Sequence, residues 1–127
     1  LKIGKNSNAV FFGTSAGGLP ALRFASLFNK VAVLGNSQFY IEDWWNIDNT
    51  KKVLESQGDQ LVLCNIENEI EEYGPPKKLI LFTNTNDDMC YEKHHCPLIE
   101  FFTKNYPKNI SVVKHSKKSR RWLHVNR

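Results

Sequence analysis

The amino-acid sequence predicts an α/β fold, a parallel sheet with flanking helices, and three observations carry that expectation. Short continuous apolar runs recur along the chain, each closed by a glycine or a polar turn, as buried parallel strands require. Between them lie longer segments whose apolar residues repeat at helical spacing. The two kinds alternate, and strand–helix–strand alternation implies parallel strands joined by right-handed crossovers.

Asn8 to Phe12 is the first strand, ending at Gly13. From Gly17 to about Asn29, Leu19, Leu22, Phe24, Ala25, Leu27 and Phe28 mark a helix, with Pro20 in the first turn, where a missing N–H costs nothing. Val31 to Leu34 is the second strand, closed by Gly35. Asp48 or Asn49 is expected to cap a helix running to about Ser56, and a more polar helix to cover Leu61 to Tyr73, before Gly74-Pro75-Pro76 breaks the chain. Leu79 to Phe82 is the third strand, and the polar loop Thr83-Asn84-Thr85-Asn86-Asp87-Asp88 follows it. Pro97 to Asn105 presents Leu98, Ile99, Phe101 and Phe102 as a helix face. Ile110 to Val113 is the fourth strand, followed by a basic loop and an apolar close at Trp122-Leu123.

At 127 residues, 41% apolar and 24% charged, the chain fits one globular domain and not two. The net charge of +4 gathers toward the end, in Lys114, Lys117, Lys118, Arg120, Arg121 and Arg127. Such runs are solvated faces in most proteins, and the interleaved aromatics of a single-strand platform are missing, so no nucleic-acid partner is expected. No run approaches the ~20 apolar residues of a membrane span, and the start has no signal-peptide core. Cys64, Cys90 and Cys96 are an odd set without a CxxC pair, which points to a reducing, cytoplasmic setting. Cys90-Tyr91-Glu92-Lys93-His94-His95-Cys96 gathers metal-ligand types, but structural zinc takes ligands from separated pairs. Adjacent histidines do not easily turn to one ion from a regular element, so this segment reads as a loop entering a helix. Neither a metal nor a cofactor is expected.

Gly13-Thr14-Ser15-Ala16-Gly17 is the segment that carries chemistry. A serine hydroxyl attacks only when a base takes its proton and the oxygen stands clear of its surroundings. A sharp, strained turn from strand into helix provides the second condition. The positions two before and two after the serine are expected to press on backbone, hence Gly13 and Gly17. The pentapeptide alone arises by chance in roughly one chain of this length in twenty-five at ordinary glycine and serine usage. The apolar strand before it and the helix after it make it a nucleophile elbow. A Walker loop needs Gly-Lys-Ser/Thr, which is absent.

A base and an orienting acid must follow. In the order Ser, Asp or Glu, His, the loop after the third strand offers Asp87 and Asp88, and the region after the fourth offers His115 and His124. With this elbow, the strand-end Asn84-Thr85-Asn86-Asp87 and a histidine after the last strand, the chain resembles the C-terminal half of the α/β-hydrolase superfamily. The resemblance implies a partial three-layer sandwich, with residues 1–127 the C-terminal portion of one such domain. It further implies Ser15 as nucleophile, Asp87 as acid, His124 as base and the Ala16 backbone N–H as an oxyanion donor. His115 is the competing base and is expected still inside the end of its strand. The family's first oxyanion donor lies on an earlier strand, whereas only fourteen residues precede Ser15 and the chain has no initiator Met, so further strands are expected upstream.

The function so implied is a serine hydrolase, an esterase or acyltransferase working through an acyl-enzyme on a small-molecule or glycan ester. Similar elbows in surface-polysaccharide pathways make a sugar ester one candidate. The basic stretch Lys117-Lys118-Ser119-Arg120-Arg121 would attract an anionic substrate. Two alternatives stand beside it. One is a non-catalytic α/β-hydrolase-like binding module. The other is a patatin-like lipase, whose dyad typically uses Asp-Gly, a pair that does not occur here.

Overall fold

The computed structural model describes residues 8–44, 46–59 and 65–116. The four apolar runs become strands because β-branched and aromatic side chains suit a pleated, half-buried surface. They are β1 (Val10–Thr14), β2 (Val31–Gly35), β3 (Lys78–Asn84) and β4 (Ile110–His115). All three pairings are parallel, and the spatial order is the sequence order, β1-β2-β3-β4.

Helices fill the crossovers. A 3-10 turn at Ser15–Gly17 leads into α1 (Gly18–Phe28), which ends on Asn29 in the left-handed region at φ 53°. The Lys30 N–H then bonds the Ala25 carbonyl at 2.8 Å, satisfying a carbonyl at the helix end. The second crossover holds α2 (Ile47–Ser56) and α3 (Ile66–Tyr73). The Asn65 side chain caps α3 by accepting from the Glu67 and Asn68 N–H groups at 3.0 and 3.1 Å. In the third, α4 (Asp88–Cys90), a five-residue π turn (Tyr91–His95) and α5 (Cys96–Asn105) run on without interruption.

The core lies on one face of the sheet. Register partners in parallel strands share a face, and Gly13, Leu34 and Leu81 form one row while Ala32 and Leu79 belong to the next. All are buried, with Leu22 and Ala25 of α1, Ile66 and Ile70 of α3, and Leu98 and Phe102 of α5 in the same apolar cluster. The alternate residues include Val10 and Phe12 of β1, Phe82 of β3 and Val113 of β4, which are 57, 72, 41 and 43% exposed.

The α/β class and the flanking helices match the sequence expectation, whereas the third layer is not found among the described residues. The strand order supplies the reason. Three right-handed crossovers stepping in one direction deliver their helices to one face, which gives two layers.

Four local corrections follow. The first strand is Val10–Thr14, not Asn8 to Phe12, because the chain stays extended through Gly13 to the elbow. Asp48 and Asn49 lie inside α2, whose N-cap is Asn46 without a side-chain cap bond. The polar helix begins at Ile66, and residues 61–64 of its expected span lie outside the described residues. The segment before α5 is helical rather than a loop. Among the described residues no helix is long and apolar enough to cross a membrane.

Candidate active site at the β1 elbow

β1 runs extended to Thr14, at φ −133° and ψ 155°, and the next residue, Ser15, has φ 51°. A residue with a Cβ holds the left-handed region at a cost of about 1–2 kcal/mol, so surrounding contacts must enforce it. They are visible on both sides. The Ser15 N–H donates to the Asn36 carbonyl at 3.1 Å, and the Ser15 carbonyl accepts from the Gln38 N–H at 3.0 Å. The loop after β2 thus grips the serine main chain from both ends, while the serine side chain is exposed and no described residue hydrogen-bonds its hydroxyl.

Gly13 makes the tight approach. A Cβ there would lie 2.4 Å from the Gly17 carbonyl oxygen. The expectation that Gly17 is likewise pressed against backbone is corrected: a Cβ on Gly17 meets nothing within 4 Å. Gly17 serves the elbow through its carbonyl, which lies over Gly13. The second crowded glycine is Gly18, where a Cβ would fall 2.1 Å from the Ser37 Cβ. Ala16 is exposed beside the serine.

Beneath the elbow lies a buried polar cluster that the sequence reading missed as a site. Ser37 is fully buried between Asn36, at φ 44°, and Gln38. Its N–H and its carbonyl lie 3.1 and 3.0 Å from His95 Nε2, and the Cys90 thiol donates to the same carbonyl at 3.3 Å. His95 Nδ1 meets the Thr83 hydroxyl at 2.5 Å. With neutral His95, either tautomer fits. Nε2 accepts from the Ser37 N–H while Nδ1–H donates to Thr83, or Nε2–H donates to the Ser37 carbonyl while Thr83 donates to Nδ1. Burial holds His95 neutral, taking its pKa down to about 4, with the Ser37 bond opposing the shift. Burial, and then Asp87, push the Cys90 thiol up to about 12, so it is no thiolate nucleophile at neutral pH. His94 Nδ1 accepts from the Phe39 and Tyr40 N–H groups at 3.1 and 3.2 Å. The signal was the adjacent histidine pair, weighed for metal chemistry and then read as part of a loop; both histidines hold the loop after β2.

Asp87 is partly buried at the carboxyl end of β3, where Oδ1 accepts from the Cys90 N–H at 3.3 Å and caps α4. Asp88 is exposed in the first turn of α4. His115 is the last residue of β4, exposed, and register partner of Asn84. It stands three strands from β1, roughly 14 Å at ~4.8 Å per strand. His124 lies outside the described residues. The last described residues, His115 and Ser116, lie beside the acid loop, because the Thr85 N–H donates to the His115 carbonyl at 2.9 Å and the Asn86 side-chain amide donates to the Ser116 carbonyl. Ser15, Asp87, Asp88 and His115 lie at the carboxyl end of the sheet, where open α/β sheets place their sites. Two open hollows of about 380 and 420 Å³ lie along α5, and neither includes Ser15.

Comparisons with protein-family models, with curated proteins and with solved structures give no match to this chain.

Proposed function

We propose that this chain carries the nucleophile of a serine hydrolase or acyltransferase that acts on esters. One observation carries the reading: Ser15 sits exposed at the end of a parallel strand with its backbone held at φ 51° by the loop after β2. Such strain persists only where the surroundings over-determine it, and it clusters at functional sites.

In the reaction, Ser15 Oγ attacks the ester carbonyl carbon and its proton passes to a histidine. His124 is the candidate base, since a group confined to β4 stands too far away and the base must come over the strand ends. Asp87, in the loop joined to Ser116, orients that histidine. The Ala16 N–H donates a hydrogen bond to the developing oxyanion. The proton then passes to the alcohol as it leaves, an acyl-enzyme forms, and a water deprotonated by the same histidine releases the acid and Ser15.

The reading is tested by incubating the full-length protein with a fluorophosphonate probe and mapping the adduct. Labelling at Ser15 supports it, and a folded protein that takes no label refutes it. A second reading, a non-catalytic α/β module, draws on Asp87, whose carboxylate already caps α4. It predicts no label, with Asp87→Ala costing about 1 kcal/mol of stability as a lost cap.

A further inference from the structure

We propose that His95 is a positioning residue of the Ser15 site, holding the 36–38 loop that clamps the serine main chain and tying that loop to the end of β3. The argument is one of connectivity. Ser15 is bonded through its N–H to Asn36 and through its carbonyl to Gln38, and Ser37 is the residue between those two. Ser37 is fully buried, and His95, 1% exposed, reaches both of its main-chain polar groups. A buried main-chain group stripped of its partner loses a bond that water does not replace, so removing the imidazole frees the middle of the clamp.

The other ring nitrogen meets Thr83, one residue before the end of β3. Cys90 closes a second route, since its thiol bonds the Ser37 carbonyl while its N–H bonds the Asp87 carboxylate. The elbow loop and the candidate acid are therefore bonded to the same short helical stretch. A π turn at Tyr91–His95 places both His94 and His95 in the interior. Such turns are rare and are frequent at functional sites. His95 does not touch the Ser15 hydroxyl in this arrangement; it acts through Ser37.

The consequence for reactivity rests on the nucleophile reading, whereas the holding of the loop does not, and the experiment separates the two. Amide hydrogen exchange is measured on wild type, His95→Leu and His95→Gln. In His95→Leu, exchange at Ser15, Ser37 and Gln38 should quicken at least tenfold, while mid-sheet amides such as Leu34 and Leu81 stay within twofold. In His95→Gln, whose side-chain oxygen can accept from the Ser37 N–H, most of the protection should return. Should His95→Leu fail to fold, Thr83→Val removes only the hydroxyl partner and is read at the same three amides, with acceleration again expected. Unchanged exchange at Ser15 and Gln38 in a folded variant, or equal effects of Leu and Gln, overturns the proposal. The fluorophosphonate labelling rate of Ser15 should fall at least tenfold in His95→Leu and recover in His95→Gln. If wild type takes no label, the nucleophile reading fails and the exchange data alone decide the positioning role. If wild type labels and His95→Leu labels as fast despite loosened amides, the positioning role is overturned.

Discussion

Gly13 and Gly17 flank Ser15 symmetrically in the sequence, yet a methyl group added to each meets different surroundings. At Gly13 the new Cβ would lie 2.4 Å from the Gly17 carbonyl oxygen, 2.8 Å from the Gly17 carbonyl carbon and 3.0 Å from the Ala21 Cβ. Non-bonded carbons rest at about 3.5–4.0 Å, so the start of α1 would have to back away from β1 by on the order of 1 Å. Overpacking costs about 1–3 kcal/mol, and because the obstacle is backbone, Gly13→Ala belongs near the top of that range. At Gly17, with φ −73° and ψ −11°, the Cβ meets nothing within 4 Å. Alanine suits that conformation and restricts the unfolded chain, a gain of about 0.4–1 kcal/mol. The two variants should therefore differ by about 3 kcal/mol or more. Urea unfolding followed by far-ultraviolet circular dichroism reads this directly, since at a slope of about 1–3 kcal/mol/M the midpoints should be separated by on the order of 1 M or more. Midpoints within about 0.3 M of each other would refute the account of how β1 meets its helix.

Ser15→Gly should raise stability by about 1 kcal/mol, because glycine takes a positive φ without the Cβ cost, and should abolish probe labelling; a loss of stability would remove the strain argument. His124→Ala should lower kcat by about 10³–10⁴ if that residue is the base, whereas His115→Ala should cost less than tenfold, and the reverse result would move the base into β4. Stability should fall as pH drops from about 6.5 toward 4, because the unfolded chain then takes a proton that folded His95 refuses. Over that window His95 contributes up to about 3 kcal/mol, while His94 opposes its protonation and Asp87 favours it. Urea midpoints at pH 7 and pH 4.5 measure the slope, and an unchanged slope in His95→Gln would refute the assignment.

The strands and the long helices were legible because each needs only local pattern. Val31 to Leu34 and Ile110 to Val113 are apolar runs that became β2 and β4 with one or two residues added. β1 was framed two residues early, since Gly13 reads as a stop in sequence, whereas in space it is where the strand packs against the Gly17 carbonyl. The strand-to-helix turn at Ser15 was legible for the same local reason: glycine, serine and the following helix are contiguous. What holds it was not, because Ser37 and His95 lie 58 residues apart and meet only after β2 and the third crossover are in place. The side on which helices collect depends on strand order, which no periodicity encodes. The π turn was hidden as well, since a helical stretch interrupted in period near Cys90 and His95 gives no clean apolar stripe.

A sheet whose spatial order repeats its order in the chain has a consequence for how the molecule is made. No strand must be threaded between two already paired, so pairing can proceed from one side as the ribosome delivers each run. Between Thr14 and Val31 lie only the 3-10 turn, α1 and the two residues that end it, whereas between Gly35 and Lys78 lie 42 residues. At about 5–20 residues per second, that gap lasts roughly 2–8 s, long compared with helix or hairpin formation in microseconds. Through that interval β2 has a partner on one side only, and Ser37 waits for Cys90 and His95, both of which are synthesised later. The serine turn can therefore be outlined early in synthesis and is locked only when the helix after β3 arrives.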